Sequence, residues 1–495
     1  MEGTMNATTD NANLAPETVA VLGIPFSNVS FADTVEWVRQ RVIAGCPAYI
    51  ATANMDFLMQ AWRDPELQRI LLEADLVVAD GIPIVWLSRL LGHPLKERVT
   101  GSDLVPLFAA LAAREGFSVF GLGGAPGVAE RATARLAERY PGLRVAGCYS
   151  PPKADILEMD NTGILARIEA AAPDILFVAF GAPKQEKWVN MHIRRWKVPV
   201  SIGIGGSLDF LAGAQKRAPR WVQRLALEWL WRMLSDPRRL FRRYVANIAF
   251  LFVTLCRLFL LRFGPVPPTQ PRAAAQCNGP AEQDLAMMRV AFPTSGAASE
   301  LARFRSACEA DAALALVVDT EERDWLDSRE LGELLDLNRR CRSAGRPFCV
   351  LVSSRRLAHA LSFIRMDRYI DVVSDMPEAL RLLRDANRKQ DAVAFQIEPD
   401  QRLHVVLPKE LTAVNVPEYR TKLDETWKGT EMSGISVDAS GVTFLDSAGV
   451  GFLVALRKRA VSLPGGFRCS GFHGNALQTL IITRMDALFA DGGTS

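Results

Sequence analysis

The sequence predicts an α/β protein, and three observations carry that reading. Between residues 19 and 210, apolar runs of strand composition alternate with stretches of helical period. Almost every such run ends in a polar or glycine-rich turn. In the second half of the chain, one segment recurs at a fixed offset. At 495 residues the chain is too long for one core, so about two to four domains are expected.

Residues 1–16 are small and polar and predict a disordered tail. The expected strands are then "AYIATAN", "ADLVVAD", "FSVFGLG", "LRVAGCY", "DILFVAFG" and "VSIGIGG". Stretches with a spacing near 3.6, such as Thr34–Ala44, Pro65–Glu73 and Gly127–Tyr140, lie between them. This alternation implies a mostly parallel, Rossmann-like sheet covered on both faces, over residues 17–215. Ligands of such sheets gather outside the carboxyl ends of the strands.

Past residue 215 the character changes. From Lys216 to Arg262 there are eleven Lys and Arg against Glu228 and Asp236. A basic block of this kind fits a solvated face, a nucleic-acid site or an anionic membrane surface. Trp221 to Arg243 reads as a helix, and Tyr244 to Phe263 is strongly apolar, broken by Asn247 and Arg257. That length is near the roughly 20 residues of a spanning helix, but a central Arg costs at least ~2.5 kcal/mol in a bilayer. An interfacial or re-entrant segment over 216–263 is the better expectation, and a membrane surface is preferred to nucleic acid. Trp221, Trp229 and Trp231 are read as core or interface anchors.

A Pro/Ala/Gly linker follows at 264–285. Beyond it, "DTEERDWLDSRELGELL" from Asp319 and "DASGVTFLDSAGVGFLV" from Asp438 align without a gap at an offset of 119. Asp327/Asp446, Ser328/Ser447 and Gly332/Gly451 match, and "IRMD" at 364–367 falls on "TRMD" at 483–486. Two copies of one small α/β domain are expected, at 286–390 and 391–490. The eight cysteines form no CxxC pair and the five histidines no HxxxH cluster. They read as reduced cytosolic thiols with no zinc site, and no signal peptide is expected at the N-terminus.

Chemistry is expected at the strand ends. Asp80 follows a buried run and precedes Gly81 and Pro83, so it is either a turn or cap residue or a carboxylate held over a cleft. "FGLGGAPGVAERA" at 120–132 places Gly123 and Gly124 where backbone N–H groups can face a diphosphate. It is not a dinucleotide fingerprint, because Pro126 takes the third glycine's place and no acidic residue ends the next strand. An NAD-dependent oxidoreductase is therefore disfavoured. "FVAFGAPKQEKW" and "GIGGSLDFLAG" add Gly181, Lys184, Gln185 and Glu186, and Gly205, Gly206 and Asp209. "ERVTGSD" at 97–103 clusters Arg98, Thr100 and Asp103 after a helix.

With "TAN" at 52–54, "ADGIP" at 79–83, "ERVTG" at 97–101, "GAPKQE" at 181–186, "GGSLDFLAGAQKRAP" at 205–219 and "LEWLWRMLSDPRRLFRR" at 227–243, the chain from about Val19 to Arg243 resembles the WecG/TagA/CpsF glycosyltransferases, glycosyltransferase family 26. The resemblance implies transfer of an N-acetylmannosamine-type sugar from a UDP-sugar to an undecaprenyl-diphosphate-linked acceptor, with inversion. It implies Asp80 as general base and Thr52, Asn54, Arg98 and Gln185 in the substrate pocket. Arg232, Arg239 and Arg242 fall in an appendage that closes over the diphosphate and meets the membrane, and Gly123, Gly124, Gly205 and Gly206 are expected along the nucleotide. No Asp-x-Asp motif occurs in this half, so arginines are expected to stabilise the departing UDP without a metal or other cofactor. The active site is then expected at the cytoplasmic face of the inner membrane, on a peripheral or re-entrant protein.

"SVDASGVTFLDSAGVGFLVALRKRA" at 436–460 resembles the STAS domain of anti-sigma-factor antagonists and anion-transporter tails. Ser447 is thereby a candidate phosphosite, against the plainer reading of a helix cap. The first copy has "SREL" where the second has "SAGV" and reads as a degenerate STAS-like module. A tandem tail of this kind suggests regulation and a protein partner or kinase. The competing function is a signalling scaffold whose transferase domain binds sugar nucleotide without turning it over.

Overall fold

The computed structural model describes residues 16–214, 218–219, 222, 231, 237–265, 287–293, 297–311, 314–388, 394–428 and 431–489. The expected tail up to residue 15, the part of the basic appendage before residue 237 apart from 218–219, 222 and 231, and the Pro/Ala/Gly linker from residue 266 lie outside them. In chain order the first part runs β1 (Thr18–Val21), β2 (Ile24–Ser27), α1 (Phe31–Ala44), β3 (Ala48–Ala53), α2 (Met55–Arg63), α3 (Pro65–Glu73), β4 (Leu76–Ala79), α4 (Ile82–Leu90), α5 (Gly101–Glu115), β5 (Ser118–Gly123), α6 (Val128–Arg139), β6 (Arg144–Tyr149), α7 (Asn161–Ala171), β7 (Ile175–Ala179), α8 (Lys184–His192), β8 (Val200–Gly203) and α9 (Ser207–Leu211).

The six expected strands, β3 to β8, form one parallel sheet in the order β4-β3-β8-β7-β5-β6. Period-two alternation sends Ile50, Val78, Val119, Phe177 and Ile202 to one core. Ala51, Val77, Phe120, Leu176 and Val178 pack into the other, with Trp188 of α8. A sheet buried on both faces explains why its strands read as continuous apolar runs. Because every strand is parallel, all carboxyl ends lie on one edge. The chain leaves β3 for β4 on one side and returns through β8 on the other, so the two halves of the sheet meet between β3 and β8.

The apolar run lies within a single helix, Pro237–Phe263, which also takes in Arg242 and Arg243. One of its faces is packed: Asn247 and Thr254 are buried, and Phe250 meets Trp62 of α2 edge-on at 5.4 Å between ring centroids. The opposite face leaves Phe241, Val245, Ile248, Phe252, Phe259 and Phe263 exposed.

The two repeated modules follow. Residues 287–388 hold a parallel sheet in the order Val372–Val373, Phe348–Leu351, Ala315–Asp319, Met287–Ala291. Residues 394–489 hold the sheet Ala394–Ile397, Arg402–Val406, Gly434–Asp438, Phe467–Ser470, with only its first strand antiparallel. The offset of 119 is kept by the strands Ala315–Asp319 and Gly434–Asp438, by the helices starting at Ser328 and Ser447, and by the strands Phe348–Leu351 and Phe467–Ser470. The first module shares its core with the N-terminal domain, since Ala20, Leu72 and Leu258 belong to the same apolar cluster as Leu316 and Leu334.

Candidate active site

The sheet edge is built from backbone upward. Ala53 of β3 stands opposite Ala79 of β4 in register, so Asn54 and Asp80 are neighbours one step past the strands. The Asp80 amide donates to the Ala53 carbonyl at 2.9 Å, extending the ladder to the acid itself. The position that caps α4 belongs to Gly81, in extended backbone. Asp80 is therefore not the cap of the helix it precedes. It is half-buried at the rim.

The segment 97–101 is laid beside this pair by one bond, from the Val99 amide to the Ala79 carbonyl at 3.0 Å. That bond carries Arg98, half-buried, and Thr100 to the end of β4. Thr100 then caps α5, its hydroxyl accepting from the Asp103 amide and donating to the Asp103 carboxylate at 2.6 Å. Gly101 lies against Thr52, and a Cβ there would sit 3.3 Å from the Thr52 Cγ2.

Thr52 is 5% exposed and donates to the Gly203 carbonyl at 2.9 Å. This bond ties β3 to β8 where the halves of the sheet meet. Asn54 caps α2 by accepting from the Asp56 and Phe57 amides. Gln185, 2% exposed, accepts from the Gly205 amide at 3.0 Å and donates to Glu186 at 2.7 Å. Three of the four expected pocket residues thus also hold the rim in shape.

The glycines divide into two kinds. Gly123 and Gly124 have left-handed backbone, and a Cβ would fall 2.6 Å from the Ala179 carbonyl oxygen or 2.9 Å from Val128 Cγ1. Local packing alone accounts for them. Gly205 also has positive φ, but nothing lies within 4 Å of its would-be Cβ, so its turn faces open space. Gly206 precedes α9 and stands 3.6 Å from the Asp209 carboxylate by the same construction. The helices that follow β3, β4, β5, β7 and β8 all begin at this edge, so their N-terminal amides converge on it, which favours an anionic ligand. Of the expected arginines, Arg242 is exposed on the helix Pro237–Phe263 and Arg239 lies on its backbone, while Arg232 falls outside the described residues.

The sequence singles out Glu186 only as one of the polar residues past a strand, and its neighbour Lys187 not at all. Glu186 is completely buried, with Tyr49 donating to its carboxylate at 3.3 Å, and burial pushes its carboxyl up to about 7. Gly203 exists for this pair: a Cβ there would lie 2.6 Å from the Gln185 amide nitrogen and 2.9 Å from the Glu186 carboxylate. Lys187, also buried, holds Asp64 and Glu66 at 2.8 Å each. The opening of α8 contained the signal, since Gln185, Glu186 and Lys187 are consecutive polar residues and all three are buried.

Ser447 lies elsewhere. Its helix is capped by Asp446, not by Ser447, which is fully buried with its amide and hydroxyl both donating to Glu66.

Known proteins agree with this architecture. Residues 19–262 match the glycosyl transferase WecG/TagA/CpsF family, and residues 395–490 match a domain described as "Mlab, STAS domain". Proteins named N-acetylglucosaminyldiphosphoundecaprenol N-acetyl-beta-D-mannosaminyltransferase are similar to the N-terminal part. One from Bacillus spizizenii is 35% identical over 192 residues, 39% of this chain and 73% of the relative. One from Bacillus subtilis is 31% identical over 45% of this chain and 86% of its own length, and one from Staphylococcus aureus is 32% identical over 45% and 87%. With a parallel sheet whose rim gathers Thr52, Asn54, Asp80 and Arg98, and with relatives matched over most of their length, the chain belongs to the WecG/TagA/CpsF family of glycosyltransferases and carries a STAS domain at its C-terminus.

Proposed function

We propose that the enzyme moves an N-acetylmannosamine-type sugar from a UDP-sugar to an undecaprenyl-diphosphate-linked acceptor, with inversion, for cell-surface polysaccharide. The single observation that supports this most is the placement of Asp80, held by the Ala53 carbonyl at the end of β4, beside Asn54 and the Arg98 segment. In this reading Asp80 takes the proton of the acceptor hydroxyl as its oxygen attacks C1 of the donor sugar. The C1–O bond to UDP breaks on the opposite face. The leaving diphosphate gathers charge at converging helix N-termini and the Gly205 turn, with appendage arginines closing over it.

The acceptor's lipid places the reaction at a membrane, and we assign that contact to the exposed stripe of Pro237–Phe263, at the cytoplasmic face where UDP-sugars are made available. The STAS domain is read as a regulatory element.

The test is transfer from a panel of UDP-sugars to a lipid-diphosphate acceptor, comparing wild type with Asp80→Asn. The expected loss is about 10²–10⁴-fold in kcat, the usual weight of a general base. Equal transfer by both proteins overturns Asp80 as base. No transfer by the wild type with any donor favours the scaffold. EDTA is expected to leave the rate unchanged, and loss restored by Mn²⁺ overturns the arginine-based account.

A further inference from the structure

A buried polar cluster away from the Asp80 edge joins two domains. Glu66 lies in the first turn of α3, 1% exposed, and its carboxylate accepts the Ser447 amide at 2.7 Å and the Ser447 hydroxyl at 2.8 Å. The carboxylate thus sits on the N-terminus of the helix Ser447–Ala460, the end that favours negative charge. Lys187 completes the cluster at 2.8 Å from Glu66 and 2.8 Å from Asp64, which caps α3. Lys187 lies in α8, two residues after Gln185, whose side chain holds the Gly205 turn. Around this cluster, Leu157 and Met191 pack onto the core of the STAS domain.

Both repeats turn the same surface to the transferase. In the first module Asp327 pairs with His93 at 3.0 Å, Arg329 pairs with Glu17, and Gly332 comes so close to β1 that a Cβ would lie 2.4 Å from the Thr18 carbonyl oxygen. In the second, Ser447 meets Glu66, and a Cβ on Gly451 would lie 3.4 Å from Leu157 Cδ2. The two helices are equivalent under the offset, and the second meets the transferase at Glu66, which Lys187 links to α8.

We propose that the C-terminal STAS domain is an intramolecular ligand of the transferase domain, docked through its Ser447 turn on Glu66, and that this docking orders the Gln185–Gly205 rim through Lys187 and α8. With the module seated, Glu66 is shared between Lys187 and the Ser447 turn in a site without solvent. When the module leaves, Glu66, Asp64 and Lys187 are opened to water, where such pairs contribute little, and the start of α8 loses its anchor. Any partner that competes for the Ser447 surface then slackens the active-site rim. The domain-coupling part stands on the contacts alone, while its effect on turnover rests on the proposed transferase reading.

Hydrogen–deuterium exchange on the full chain separates the two. Ser447→Asp sets a carboxylate against Glu66, and Gly451→Gln wedges the helix against Leu157 while removing a helix glycine from the module. In both variants the amides of Lys184–His192 and of the Gly205 turn are expected to exchange about fivefold faster or more, with strands Gly434–Asp438 and Phe467–Ser470 still protected. Adding Glu66→Gln to Ser447→Asp is expected to restore protection, because the amide donates to the new carboxylate. Turnover with the lipid-linked acceptor is expected to fall in parallel. Unchanged exchange at Lys184–His192 with the module released overturns the coupling, as does a released rim in Ser447→Asp that Gly451→Gln does not reproduce. If wild type shows no transfer, the exchange result still decides the coupling and only the transferase reading fails.

Discussion

At Glu186 a carboxyl is buried completely beside Tyr49 and Gln185, and burial pushes it from the ordinary 4.5 up to about 7. A raised acid favours its neutral form in the folded protein. The stability it contributes is full below about pH 4.5 and is lost as pH rises through about 7. The thermal midpoint of the wild type is therefore expected to fall between about pH 4.5 and about pH 7. In Glu186→Gln, which keeps an acceptor but cannot ionise, that fall is expected to be less than half as large, and an unaltered pH profile of unfolding refutes the assignment. Single residues were legible where position alone decides. Asp80 and Asn54 end apolar runs, and their place on the rim follows from the parallel sheet. Gln185 was legible as a rim residue but not as a buttress, because its bonds to Gly205 and Glu186 depend on side-chain direction. The partner of Ser447 was not legible at all, since Glu66 lies 381 residues away and ordinary composition surrounds both.

The helix Pro237–Phe263 shows what an element's sequence carries and what it hides. Its apolar length was plain, and Asn247 stood out as a break. In the fold Asn247 is 7% exposed on the packed face, so it does not interrupt the outward stripe. Spacings of three and four put Phe241, Val245, Ile248, Phe252, Phe259 and Phe263 along one side. Burying one such side chain in lipid is worth about 1.5–3 kcal/mol. The double change Ile248→Ser with Phe252→Ser is accordingly expected to weaken sedimentation with anionic liposomes at least about tenfold, the loss of roughly 1.4 kcal/mol or more. Transfer to a soluble, short-chain acceptor is expected to be spared. Equal sedimentation of both proteins removes this face from membrane contact. Helix and strand types elsewhere were legible for a simpler reason: each strand of the main sheet except the edge strand β6 is buried, and each is flanked by turn residues.

Across the whole molecule, one carboxylate ties three parts together. Glu410 of the STAS domain accepts Arg69 of α3 at 2.8 Å and Arg342 of the first module at 3.0 Å. Burial raises this acid, but Arg69 and Arg342 outweigh it and hold the carboxyl down at about 2. A depressed acid contributes stability above its unfolded value, near 4.5, and loses it as pH falls toward about 2. Small-angle scattering is expected to show the particle opening over that window, and Glu410→Gln to open partly at neutral pH. With 35% of the side chain still exposed, solvent screening keeps the loss to about 1 kcal/mol, and an unchanged radius in the variant refutes the tie. The repeat was legible because an offset of 119 survives in sequence. The manner in which the modules seat on the transferase was not, because it is chosen by surfaces that match only after each part has folded. The contact of Gly332 with the Thr18 carbonyl has a further meaning for how the protein is made. β1 leaves the ribosome more than three hundred residues before the helix that covers it, which at ordinary elongation rates is roughly 15–60 s. For that interval the nascent transferase carries an uncovered flank at Ala20 and Leu72. A version shortened after residue 264 keeps that flank bare for its lifetime, so the tandem modules finish the fold of the enzyme they follow.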